Sequence, residues 1–141
     1  MTRDERRINE LYTAAQDVPP VSQTARLTAA IYIGNTLISI GNNTYKTDPM
    51  QAKFSKNFGK NVTCLHAEMM AIKHALRRVS PDDLKRSTLY VARAKRASKS
   101  GPWVFGLAKP CRVCQSAIDL FEISRVVYTT NANTFEEITR N

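Results

Sequence analysis

No apolar run in this 141-residue chain approaches the roughly 18 residues needed to cross a bilayer, so a membrane-spanning helix is not expected. The first residues, MTRDERRINE, are charged where a secretory signal is apolar, which points to an intracellular, cytoplasmic protein. Cysteine is sparse and odd in number: of Cys64, Cys111 and Cys114, two stand three positions apart, a poor basis for a disulfide framework. Metal or redox chemistry accounts for them better. Acidic residues are also few, 12 against 21 Lys and Arg, and the net charge of +9 favours polyanionic or phosphorylated partners. No internal repeat is present, and two separate cores would each have about 70 residues, near the lower limit of independent stability. The chain therefore reads as one domain, residues 1–141.

Ile8, Leu11, Tyr12 and Ala15 have the i, i+3, i+4, i+7 spacing of an amphipathic helix that Pro19 and Pro20 end. This helix is expected to cover one face of a sheet. Alternation from Leu27 to Ile33, the Gly34-Asn35 turn and the run Thr36 to Ile40 predict a β-hairpin, closed by a Gly41-Asn42-Asn43 loop. Asp48-Pro49 opens a short helix with Met50, Phe54 and Phe58 recurring every four residues in a basic segment. A largely apolar, buried helix follows from His66 to Arg78, then a central strand Thr88 to Ala92, a helix Arg112 to Phe121 and a strand Arg125 to Thr129. Strand, helix and strand in that order predict a right-handed crossover between parallel strands. Thr134-Phe-Glu-Glu137 has capping-box spacing, which predicts a last short helix.

Three pieces carry chemistry together: His66-Ala67-Glu68 opening one helix, Pro110-Cys111-Arg112-Val113-Cys114 opening another, and the strand between them. Alone, the Cys-x-x-Cys reads as well as a redox pair, and a single histidine as a satisfied core residue. Cysteines three apart on a helix are separated by about 300° of rotation and share a face, where two thiolates can close one edge of a zinc tetrahedron. Pro110 suits a helix entry, and the positive end of the helix dipole favours thiolate. His66 and Glu68 would be about 200° apart within a regular helix, so they converge only at its first turn. One His and two Cys leave the fourth position for water, the layout of a catalytic zinc site. Glu68 is then the candidate proton carrier between that water and an electron-poor ring.

At these residues, HAE at 66–68 and PCRVC at 110–114, the sequence resembles the zinc-dependent cytidine/deoxycytidylate deaminase superfamily, whose signature is His-x-Glu with Pro-Cys-x-x-Cys. The resemblance implies a three-layer α/β/α sandwich around a five-stranded mixed sheet. It implies Zn2+ on His66, Cys111 and Cys114, and Glu68 as the catalytic residue. A crossover giving parallel fourth and fifth strands resembles the deoxycytidylate and tRNA-adenosine branches more than the free-nucleoside cytidine deaminases. Those branches carry a Gly-x-Asn after the second strand, which Gly41-Asn42-Asn43 matches. Asn43 is then the substrate-contact candidate, with Asn42 if the register slips by one, and Ala67 within the motif. The 45 positions from His66 to Cys111 exceed what that branch implies, with the surplus in Ala94 to Lys109. Met70 stands where deoxycytidylate deaminases usually carry Asn.

The implied function is hydrolytic deamination of a nucleobase, foremost cytosine in a nucleotide, dCMP to dUMP. The alternative is cytosine or adenine in single-stranded DNA or tRNA, and a third reading is a non-catalytic, zinc-stabilised binding module. The resemblance also implies a homo-oligomer and, for so short a deaminase, a phage source. Cys64 reads as a small buried residue outside the site, and His74 as a packed or solvated one. Lys46, Lys53, Lys56, Lys60 and the group Arg93, Lys95, Arg96, Lys99 and Lys109 are either solvated charge or phosphate contacts at the pocket mouth. Trp103 and Phe105 either plug the 94–109 insertion onto the core or stack on a base.

Overall fold

Alternating side chains on the central strands decide how the layers stack. The computed structural model describes residues 1–19, 26–44, 48–56 and 66–140. Its elements run α1 (Arg3–Ala15), β1 (Leu27–Ile33), β2 (Thr36–Asn42), α2 (Pro49–Lys56), α3 (Ala67–Ala75), α4 (Pro81–Leu84), β3 (Thr88–Lys95), β4 (Val104–Gly106), α5 (Arg112–Leu120), β5 (Arg125–Thr129) and β6 (Phe135–Thr139). Phe58, Lys46, Lys60 and Cys64 lie outside the described residues.

The strands form one mixed sheet in the order β2-β1-β3-β5-β6, with β4 on β3. Successive strand residues face opposite sides. Leu89 and Val91 of β3 and Val126 and Tyr128 of β5 therefore join the core under α2, α3 and α5, whereas Tyr90, Ala92 and Val127 join Ile8 and Leu11 of α1. Helix, sheet, helix is the expected three-layer sandwich. Thr2 caps α1 by accepting the Glu5 N–H at 3.1 Å, and Ile8, Leu11 and Ala15 bury the predicted stripe. Arg7 is buried in the same interface, its guanidinium 3.7 Å from the Tyr32 ring centroid while it donates to Gly34 O and Tyr90 Oη.

The hairpin forms as predicted, with Gly34 at φ +59° in the two-residue turn, although β2 continues through Asn42 rather than looping at Gly41. Asp48 starts α2 by accepting the Met50 N–H at 2.9 Å and pairs with Lys73 of α3. His74 of α3 lies 3.0 Å from Ile40 O, and Arg78, just past the end of α3, donates to Ile38 O at 2.9 Å, so side chains from this end of α3 cover carbonyls of the edge strand β2.

The tail does not form the predicted helix. Residues Phe135–Thr139 are β6, antiparallel to β5 from Arg125↔Thr139 to Thr129↔Phe135. A helix this short cannot sustain itself, while the open edge of β5 offers backbone partners; Phe135 and Ile138 then cover opposite faces. The sheet has six strands rather than five because β4 forms inside the 94–109 insertion and pairs Lys95↔Val104 with β3. The parallel crossover joins β3 and β5, the third and fourth strands of the main path, while the last pair, β5 and β6, is antiparallel. The parallel fourth and fifth strands expected from the resemblance are therefore absent. Phe105 plugs the insertion, edge-on to Tyr12 at 4.7 Å. Trp103 belongs to neither core cluster: the guanidiniums of Arg26 and Arg96 lie 5.2 and 4.2 Å from its ring centroid.

Candidate metal centre

Strand register places the motif residues at one end of the sheet. The starts of β1 and the ends of β2 and β3 meet there, through Thr28↔Asn42 and Leu27↔Arg93. Ala108, two residues before Pro110, is pinned to the end of β5 by its N–H to Thr129 O at 2.9 Å. The motif helices α3 and α5 therefore begin where the two parallel strands finish, the usual ligand end of such sheets.

His66 is the N-cap of α3, with extended backbone (φ −80°, ψ 155°), and Cys111 is the N-cap of α5 (φ −68°, ψ 170°). Neither side chain caps its helix, so both are available to turn toward each other. Cys114 follows in the first turn of α5. The Nδ1 of His66 lies 3.3 Å from Cys114 Sγ and 3.8 Å from Cys111 Sγ, and all three ligand atoms fall within 4.8 Å of one another. An N–S edge of a zinc tetrahedron with ordinary bond lengths is roughly 3.6 Å, so the donor set fits the ion. The positive ends of two helices meet here and favour thiolate.

The electrostatics match. Cys111 is pulled down to about 3 by hydrogen bonding from Cys114, against burial, and with help from His66. Cys114, hydrogen-bonded to that thiolate and buried, is pushed up. His66 is raised by the Cys111 sulfur, with burial opposing and Glu68 assisting. Glu68 is only 5 % exposed, and burial raises its carboxyl above the ordinary range while His66 opposes. The two-residue spacing works because His66 sits outside the helical turn that holds Glu68, as the first-turn geometry requires.

The substrate candidates lie close by. Gly41 packs so tightly on α3 that a Cβ there would come within 2.6 Å of Ala67 O and Ala71 N. Asn42 donates its N–H to Met70 Sδ at 3.3 Å, which gives the departing residue Met70 a contact of its own. Asn43 is buried, and its Oδ1 accepts the Leu27 N–H at 3.0 Å while its N–H reaches Leu27 O. That oxygen closes the hairpin. His74 is outside the cluster, as expected.

One residue escaped the sequence reading. Gln51 of α2 is fully buried, and its Oε1 accepts the His66 N–H at 3.2 Å. A signal existed: Gln51 lies three residues before Phe54, a polar residue on an otherwise apolar helical face.

Comparison with known proteins agrees with this centre. The family model described as the cytidine and deoxycytidylate deaminase zinc-binding region matches residues 1–130. No curated protein sequence matches the chain. Among solved structures, a cytidine deaminase from Burkholderia pseudomallei is similar with TM-score 0.63 and 19% identity, over 99% of this chain and 93% of that one. A dCMP deaminase from the cyanophage S-TIM5, in apo form, is similar with TM-score 0.56 and 17% identity, over 92% and 86%. At such identities these two show the fold. No helix among the described residues is long and apolar enough to cross a membrane. With its signature residues gathered at metal-binding distances on the expected sheet, the chain belongs to the cytidine and deoxycytidylate deaminase family of zinc-dependent hydrolases.

Proposed function

We propose that this deaminase acts on cytosine in a nucleotide, replacing the exocyclic amine by oxygen as in dCMP to dUMP. The observation that carries the reaction is the buried Glu68 carboxyl beside the His66, Cys111 and Cys114 triad. Zinc, when bound, supplies Lewis-acid activation of water. Glu68 takes a proton from the attacking water and delivers it to the ring nitrogen, then carries the second proton to the amine, which leaves as ammonia. Burial of Glu68 raises its carboxyl above the ordinary range and so makes it a readier proton acceptor than an exposed carboxylate. His66, Cys111 and Cys114 hold the ion from two helix starts, and Asn43, Asn42 and Ala67 are proposed to line the nucleoside side.

Support for a phosphorylated substrate comes from a shallow cleft of about 430 Å³ beside Cys111, lined by Lys109, Pro110, Arg112, Gln115, Ser116 and Asp119. Lys109 precedes the motif and Arg112 lies within it, between the two cysteines. They are proposed to meet a 5′-phosphate.

A second reading, deamination within single-stranded nucleic acid, is favoured by one observation. Between Thr88 and Ile118 the chain has no acidic residue and six cations, Arg93, Lys95, Arg96, Lys99, Lys109 and Arg112. Trp103 sits among them between Arg26 and Arg96, at the sheet end that holds the metal centre. The deciding experiment incubates zinc-replete protein with dCMP, cytidine and a cytosine-containing oligonucleotide, and measures uracil and ammonia. Turnover of dCMP is the expected result; turnover of the oligonucleotide alone would transfer the assignment to the second reading.

A further inference from the structure

We infer that Gln51 is a positioning residue for the metal centre, its amide oxygen holding the His66 backbone in the extended form that turns Nδ1 toward the two sulfurs. The inference rests on the metal reading of His66, Cys111 and Cys114.

Two observations carry it. First, His66 sits at a junction. Its carbonyl is fixed by the first helical bond, accepting the Met70 N–H at 2.9 Å, but its own N–H lies outside the helical ladder and is bound by Gln51 Oε1. Because His66 makes no side-chain cap and the backbone there is not helical, that bond from α2 decides where the imidazole starts. Second, the other end of the same amide is unmatched: Gln51 Nε2 is buried and has no hydrogen-bond partner among the described residues. An unpaired buried N–H costs stability, and an apolar side chain of similar length, such as Met, would avoid it. A residue chosen only to fill the α2 interface would not be an amide. The His66 N–H also fixes which way the amide faces, since only its oxygen can accept.

Asp48 strengthens the arrangement. Immediately before α2, it accepts the Met50 N–H that starts that helix and pairs with Lys73 of α3, so the helix that carries Gln51 is tied to the helix that His66 begins. The centre is thereby braced from outside the two signature motifs, as outer partners commonly orient metal-ligating histidines through their ring N–H, though here the backbone is the point of contact.

The experiment uses Gln51→Met, which removes the acceptor at similar volume, and Gln51→Glu, which keeps an acceptor and removes the donor. Metal-free thermal stability and zinc affinity, by competition with a chromophoric chelator, are measured on each. For Gln51→Met the expected result is a metal-free Tm at or above wild type together with a zinc affinity weakened about 10- to 100-fold, restored to within about threefold in Gln51→Glu. Zinc affinity within about threefold of wild type in Gln51→Met would overturn the inference, as would an equal loss in both variants. Should Gln51→Met fail to fold, Gln51→Glu decides alone: near wild-type affinity supports the role, and a loss beyond about tenfold refutes it. Wild-type protein that takes up no zinc would overturn the metal centre, and this inference with it.

Discussion

The Nδ1 of His66 and the Sγ of Cys114 stand 3.3 Å apart although 48 positions separate them in the chain. Two helix N-termini bring them together, and both helices begin at the same end of one sheet. Cys111→Ser or His66→Ala removes one of three donors from this set. Each variant is expected to lose most of its bound zinc and its turnover, read by metal analysis of chelator-free protein and by uracil formation. Zinc content unchanged in both would remove these residues from the ligand set.

Glu68 separates holding the ion from using it. Glu68→Gln retains the volume and polarity of the side chain but cannot ferry a proton. The expected outcome is wild-type zinc content with kcat reduced about 10²- to 10⁴-fold. Retained turnover would take Glu68 out of the mechanism.

Gly41 tests the contact that seats β2 on the motif helix. A methyl at this position meets Ala67 O and Ala71 N at 2.6 Å, and both are backbone atoms that cannot swing aside. Gly41→Ala should destabilise the fold by about 1–3 kcal/mol in denaturant unfolding and lower activity by displacing the start of α3. A variant as stable as wild type would mean that the sheet and helix separate easily.

On the opposite face, Asp4 of α1 pairs with Arg125 of β5 and accepts from Tyr90 Oη. The Arg125 guanidinium holds the Asp4 carboxyl below its ordinary 3.8, with burial opposing and Tyr90 assisting. A carboxyl depressed in the folded state adds stability above its unfolded pKa, and this is lost as pH falls through the lower folded value. The stability difference between wild type and Asp4→Asn, about 1–3 kcal/mol, should therefore be constant above about pH 5 and shrink below about pH 4. Urea unfolding across that range measures it; a difference that grew on acidification would contradict the sign.

Trp103, the single tryptophan, reports on the basic end of the molecule. An oligonucleotide that engages Arg26 and Arg96 should alter their stacking on the indole and shift its emission. If six or more phosphates are contacted, affinity should fall about 10³-fold or more between 50 and 200 mM salt, whereas dCMP should show a shallow dependence. No change in emission at low salt would argue against the nucleic-acid reading.

Local pattern and residue chemistry made much of this protein legible. The spacing of Ile8, Leu11 and Ala15, the Gly34 turn, the alternation in β3 and β5, and the two signature motifs are written in short stretches, because helix and strand periods and metal-ligand types are local properties. Tertiary structure decided the rest. Phe135–Thr139 became a strand because β5 had an open edge, which no local capping signal reveals. β4 likewise exists because β3 extends to Lys95 and pairs with it. Trp103 was left between two arginines rather than in the core, and Gln51 met His66 from a separate helix. These are pairings between distant segments, and their free energy depends on which groups would otherwise be buried without a partner.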